Sequence, residues 1–81
     1  MEKSLHSKGY ALFLRQLRTA RQRAGVTQEE LAKRLGETQS FISKCERGER
    51  RIDIVELRAF CKAIGVSFAR FAAQLDRQLG P

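Results

Sequence analysis

The sequence predicts an all-α fold of five helices, and three observations predict it. The single proline, Pro81, lies at the very end, so no interior position bars a helix. Good helix formers (Ala, Leu, Arg, Gln and Glu) are abundant throughout. Apolar residues recur at helical spacing in five segments, and a glycine (Gly25, Gly36, Gly48, Gly65) closes each of the first four. With 81 residues the chain has room for one compact domain and not for two. An apolar content of 42% suits a globular domain and argues against disorder.

Residues 1–9 read as a short polar arm, and residues 10–79 as a single domain. The first helix runs from about Tyr10 to Ala24, with Leu14, Leu17 and Ala24 on one stripe and Gly25 as its left-handed stop. Thr27-Gln-Glu-Glu30 has the form of a capping box, a hydroxyl followed three residues on by a carboxylate. It opens a second helix that buries Leu31, Ala32 and Leu35 and ends at Gly36 after barely two turns. Glu29 and Glu30 sit where the helix dipole favours negative charge. Thr38 caps a third short helix through Cys45 or Glu46, with Phe41, Ile42 and Cys45 inward. Asp53-Ile-Val-Glu56 starts a fourth, with Ile54, Leu57, Cys61 and Ile64 along its face. Ile52-Asp53-Ile54 alternates like a strand, but the longer helical period outweighs it. Ser67 caps a fifth, whose apolar face holds Phe68, Phe71, Ala72, Leu75 and Leu79.

Sixteen Lys and Arg against nine acids give a formal net charge of +7, which suits an anionic partner, nucleic acid among others. The longest apolar run, Tyr10 to Leu14, is far too short to span a membrane, and the N-terminus lacks a signal-peptide pattern. Cys45 and Cys61 both fall on apolar stripes. They read as buried free thiols in a reducing cytosol, with a disulfide left open. No CxxC pair exists and His6 has no companion ligand, so no metal site is expected, and no cofactor.

The second and third helices are each too short to be stable alone, so packing must hold them. One use of such a pair is to let the first helix brace while the second presents its N-terminus to the DNA major groove. Residues 27–48 carry TQEELAKRLG followed by Q-S-x-I-S-K-x-E-R-G. They resemble the helix-turn-helix of the lambda-repressor and Cro-like (xenobiotic-response-element type) regulators, and the similarity extends from about Tyr10 to Ala72. The resemblance implies a five-helix domain with its helix-turn-helix at helices 2 and 3. It also implies operator DNA as ligand and a homodimer on a near-palindromic site.

Phe41, Ile42 and Cys45 point inward, so Gln39, Ser40, Ser43 and Lys44 are the outward, base-reading candidates. Gln39 suits adenine bidentately, and Lys44 suits guanine O6/N7 or a phosphate. Thr38, at the helix N-terminus, is a phosphate contact by hydroxyl and backbone amide. The resemblance adds Gln28 and Arg47 as phosphate contacts, and Arg50 and Arg51 bring charge nearby. It also implies a structural pair between Glu46 and Arg21, costly to break from one side if buried. Ala32 and Gly36 let the short helices approach closely. Cys45 stands where leucine or tyrosine is common in the family, a mild departure. Phe68, Phe71, Leu75 and Leu79 read either as core or as a dimerisation face on the fifth helix.

The function expected is a cytoplasmic, sequence-specific transcriptional regulator of bacterial or phage origin, of repressor or controller type, with contact to RNA polymerase as one route to activation. An antitoxin holding a toxin through an apolar surface is the alternative. An enzyme is disfavoured, because no nucleophile–base set, phosphate-binding glycine loop or metal cluster can be assembled. RNA binding is disfavoured too, since four of the five Phe (Phe41, Phe60, Phe68, Phe71) lie in the helical pattern rather than on a strand platform.

Overall fold

The structure is a computed structural model that describes residues 7–81. Five helices follow one another: α1 (Lys8–Arg23), α2 (Gln28–Leu35), α3 (Gln39–Glu46), α4 (Ile54–Ile64) and α5 (Phe68–Leu79). The described residues contain no strand. The α1 start lies two residues ahead of Tyr10, because Ser7 caps it by accepting a hydrogen bond from the Tyr10 amide at 3.1 Å. The rest of the expected arm, with His6, falls outside the described residues.

Each helix starts on a side-chain cap. Thr27, Thr38 and Ser67 accept from the amide three residues on. Asp53 and Glu56 form a complete reciprocal box, with Glu56 N donating to Asp53 Oδ1 at 2.7 Å and Asp53 N to Glu56 Oε1 at 2.9 Å. A cap is worth about 1 kcal/mol, which matters in a domain with a thin core. The box expected at Thr27 forms only by half. Thr27 Oγ1 accepts from Glu30 N at 3.0 Å, while the Glu30 carboxylate accepts from the Thr27 hydroxyl at 3.4 Å and lies 3.6 Å from Arg34, without bonding the Thr27 amide. Gly36 closes α2 at φ 69°, in the left-handed region that an L side chain rarely adopts, and so permits the tight turn into α3.

The core gathers side chains from all five helices. Leu17, Leu31, Ile42, Cys45 and Cys61 are fully buried, joined by Phe13, Val26, Ala32, Leu57, Phe60, Ile64 and Phe71. Phe13 packs edge-on against Phe71, with ring centroids 6.1 Å apart. Helix α2 packs on α3 and α4, α1 on α3 and α5, and α4 on α5. Arg34 adds a polar strut, donating from α2 to the Ala63 carbonyl of α4 at 2.7 Å. Cys45 and Cys61 are both buried free thiols, and burial pushes Cys45 up to about 11, so it stays protonated and unreactive at neutral pH.

Three stripe assignments are corrected. Ile54 is 65% exposed, and the inward face of α4 is Leu57, Phe60, Cys61 and Ile64. Ile54 is the first residue of α4 and lies on the rim of a shallow groove beside Leu75, outside the core. Ala24 and Ala72 are exposed as well. The buried stripe of α1 is Phe13, Gln16, Leu17 and Arg21, two of them polar.

Candidate nucleic-acid interface

Helices α2 and α3 have eight residues each, and only Gly36 to Thr38 separate them. Ile42 and Cys45 anchor α3 in the core, and Phe41 is half-buried beside them. Helical geometry then turns Gln39, Ser40 and Lys44 to the surface, where all three are exposed; Ser43 is half-buried on the same side. Thr38 spends its oxygen on the Phe41 amide at 3.1 Å, which leaves its hydroxyl hydrogen to donate outward. The first amides of α3, on Gln39 and Ser40, have no intrahelical acceptor, so this helix end favours an anion.

A buried network fixes how α3 sits. Arg21 on α1 makes a two-pronged contact with Glu46, the last residue of α3: Nε to Oε2 at 2.6 Å and Nη2 to Oε1 at 2.9 Å. Its Nη1 donates to the Val26 carbonyl at 2.9 Å, and Gln28 Nε2 on α2 donates to Glu46 Oε1 at 2.9 Å. A carboxylate at a helix C-terminus opposes the dipole, so Glu46 depends on this partner. With side-chain exposures of 10% and 4%, the pair is shielded from water. It ties three helices at the base of the outward face, and α3 therefore presents its N-terminus in one orientation. Gln28 is half-buried, with one amide hydrogen committed to Glu46; its second remains for a phosphate.

The rim arginines are held differently. Arg47, exposed at the end of α3, donates to the Ser43 hydroxyl and to the Glu49 carboxylate. Hydrogen bonding from Arg47 holds the Glu49 carboxyl below the usual carboxylate range. Arg50 donates to Glu56 Oε1 at 2.6 Å and lies over the Phe41 ring, 5.0 Å from its centroid. The Arg50 hydrogen bond, followed by that from the Asp53 amide, lowers the Glu56 carboxyl. Arg51 stacks over Tyr10 at 4.5 Å, and the Tyr10 hydroxyl accepts from the Ile52 amide at 3.0 Å. Glu49 was not singled out in the sequence, and Glu56 was read only as part of the start of α4. The Arg47-x-Glu49 spacing was the available signal for one of them; the other was hidden inside a capping box.

Of the four apolar residues expected as a dimerisation face, Phe71 belongs to the core, 4% exposed against Phe13. Phe68 and Leu75 are half-buried against the core, and only Leu79 is free on the surface at 49%. Among the described residues, the other large exposed apolar residues are Ile54 and Val55 at the start of α4. Ile54 and Leu75 line one shallow groove, which brings the start of α4 beside α5.

A short bracing helix, a glycine turn and a clamped second helix with a polar outward N-terminus define a helix-turn-helix DNA-binding domain. A family model described as a helix-turn-helix domain matches residues 12–75. An uncharacterised HTH-type transcriptional regulator of Sinorhizobium fredii, y4dJ, is 36% identical over 56 residues, 69% of this chain and 73% of the relative. Among solved structures, an XRE-family like protein from Pseudomonas syringae pv. tomato superposes with TM-score 0.87 at 43% identity, covering 98% of this chain and 95% of its own. The clp gene regulator ClgR from C. glutamicum superposes with TM-score 0.75 at 28% identity, covering 98% and 97%. The chain belongs to the helix-turn-helix family of transcriptional regulators, a DNA-binding family and not an enzyme class.

Proposed function

We propose that this protein is a sequence-specific regulator that binds a near-palindromic operator as a homodimer, with α3 in the major groove. The observation that carries the reading is the buried Arg21–Glu46–Gln28 network beneath an exposed polar helix end. Base reading needs side chains held in register, and this network supplies the register.

The net charge of +7 draws the domain to DNA without regard to sequence. Thr38, the second amide hydrogen of Gln28, and Arg47 then engage phosphates, with Arg50 and Arg51 on the flank. Gln39, Ser40, Ser43 and Lys44 read base edges. Arg47 already donates to the Ser43 oxygen, so the Ser43 hydrogen is directed to an acceptor such as guanine N7 or O6, or a phosphate oxygen. The dimer contact is assigned to the exposed apolar residues Ile54, Val55 and Leu79 with Leu75 beside them, in place of Phe71. Two subunits then meet half-sites about one helical turn apart, roughly 34 Å. Occupancy represses when the site overlaps a promoter, and activates when it places the protein beside polymerase. Such a regulator acts in the cytoplasm of a bacterium or under a phage genome. The described residues contain no helix long and apolar enough to cross a membrane.

The test is selection of bound sites from random duplex DNA near physiological salt, with the wild type and a Gln39→Ala, Lys44→Ala double variant. An enriched inverted repeat that the variant loses supports the reading. Salt-sensitive binding without enrichment contradicts it.

A further inference from the structure

Two arginines follow each other in the loop between α3 and α4, and they are held in opposite ways. Arg50 commits Nη1 to the Glu56 carboxylate and to the Arg51 carbonyl, each at 2.6 Å, and its guanidinium lies over the Phe41 ring. To reach a phosphate it must release those acceptors. Arg51 is exposed, and among the described residues its guanidinium has neither a carboxylate partner nor a hydrogen-bond acceptor. It rests instead on the Tyr10 ring, 4.5 Å from the centroid. A stacked guanidinium is held through its face, so the N–H donors along its edge stay free for an anion. Arg18, Arg58 and Arg77 are exposed too, but among the described residues none of them has an aromatic ring beneath it.

Tyr10 is itself fixed on three sides. Its amide donates to the Ser7 hydroxyl at 3.1 Å, its ring packs on Phe13 with centroids 5.2 Å apart, and its hydroxyl accepts from the Ile52 amide at 3.0 Å. That last bond joins residues 42 apart in the sequence. Residues 51–53 belong to no helix or turn, so bonds from side chains must set the path of their backbone. The Arg51 backbone is gripped from both sides: Arg50 donates to its carbonyl, and Tyr10 accepts from the amide that follows. The stacking of Arg50 on Phe41, the neighbour of Ser40, carries this loop back alongside α3.

We propose that Tyr10, on α1, is a positioning residue for DNA binding: its ring holds the Arg51 guanidinium and its hydroxyl holds the adjoining backbone, so the side chain is ordered before it meets a phosphate. This rests on the phosphate role proposed above for Arg51. Ordering one long, rotamer-rich side chain on binding costs a factor of roughly two to ten in affinity, and the Tyr10 platform removes that cost in advance. A phosphate contact carries no sequence information, so the gain extends to every duplex.

The test is a double-mutant cycle between Tyr10 and Arg51, read as affinity of the full chain for a random-sequence duplex over a range of salt. Arg51→Ala should weaken binding and reduce the magnitude of the salt slope by about 1. Tyr10→Leu should weaken binding roughly twofold to tenfold in the wild-type background. It should have no further effect beside Arg51→Ala, because Tyr10 acts through that arginine. Tyr10→Phe keeps the ring and should bind better than Tyr10→Leu. A Tyr10→Leu loss that persists undiminished in Arg51→Ala marks a merely structural role; it overturns the proposal and leaves the phosphate reading of Arg51 standing. Wild-type affinity and slope in Arg51→Ala would overturn that reading and the proposal with it. Should Tyr10→Leu fail to fold, ¹⁵N relaxation of the arginine Nε–H groups in the free wild-type protein decides. An Arg51 side chain more ordered than those of Arg58 and Arg77 supports the proposal, and one equally mobile overturns it.

Discussion

Two Arg–Glu arrangements lie side by side where α3 ends, and they do opposite work. At the base of α3, Arg21 and Glu46 are buried, doubly hydrogen-bonded and joined by Gln28 and the Val26 carbonyl. At the rim, Arg47 and Glu49 sit largely in water, each with 54% side-chain exposure, and Arg50 pairs with a half-buried Glu56. The chemistry is the same and the burial is not. In the buried pair, neither charge can return to water without unfolding the contact, so the pair fixes geometry. At the rim, water and salt compete for each pair, which is therefore worth little and can be exchanged for a phosphate. The difference shows how one residue pair can be a structural clamp in one place and an exchangeable surface contact in another.

The sharpest way to break this comparison is to cut the clamp from one side. Glu46→Ala should lose about 3–5 kcal/mol of stability, because Arg21 is left buried without its partner. Urea unfolding measures it, and a loss below about 1 kcal/mol would move the pair into the same class as the rim. Arg21→Met with Glu46→Leu should recover most of that loss, since removing both charges leaves neither uncompensated. Next in size, Thr38→Ala removes the cap of α3 and should cost about 1 kcal/mol in the same assay. At the rim, Arg47→Ala should leave the melting temperature almost unmoved. It should weaken binding to all sequences alike and reduce the magnitude of the salt slope by about 1.

The smallest effect is on acid stability. Glu49 and Glu56 have carboxyls lowered from 4.5 in the folded protein. Each therefore contributes stability that is present above that value and lost as pH falls through the lower folded value. Both contributions are small because the Arg47–Glu49 pair is solvent-exposed and the Arg50–Glu56 pair is only partly shielded. Glu56→Gln should flatten the fall in stability below pH 4.5 only slightly. A large flattening would mean that the rim, too, is structural.

Much of this fold was legible because its signals are local. The caps at Thr38, Asp53 and Ser67 and the stop at Gly36 need only a few residues of context, and all four form. Periodicity gave the apolar positions of each helix but not which of them a neighbouring helix covers, which is why Ile54, Ala24 and Ala72 were placed inside and lie outside. The same limit left Phe71 open between core and a dimerisation face, and Phe13 covers it. On α1 the buried stripe contains Gln16 and Arg21, which a hydrophobic template passes over. The outward set on α3 could be read from the inward one. The partner of Arg50 could not, because it depends on how the turn from Gly48 to Asp53 folds back.

The central claim is that a clamped α3 reads base edges while the rim supplies affinity regardless of sequence. Its most direct test is the ratio of specific to non-specific DNA affinity, measured for the wild type and Gln39→Ala at one salt concentration. The account predicts a loss of about 1–3 kcal/mol on the selected site, with non-specific affinity and melting temperature unchanged. Equal losses on both DNAs, or a fall in melting temperature with the ratio intact, would contradict it.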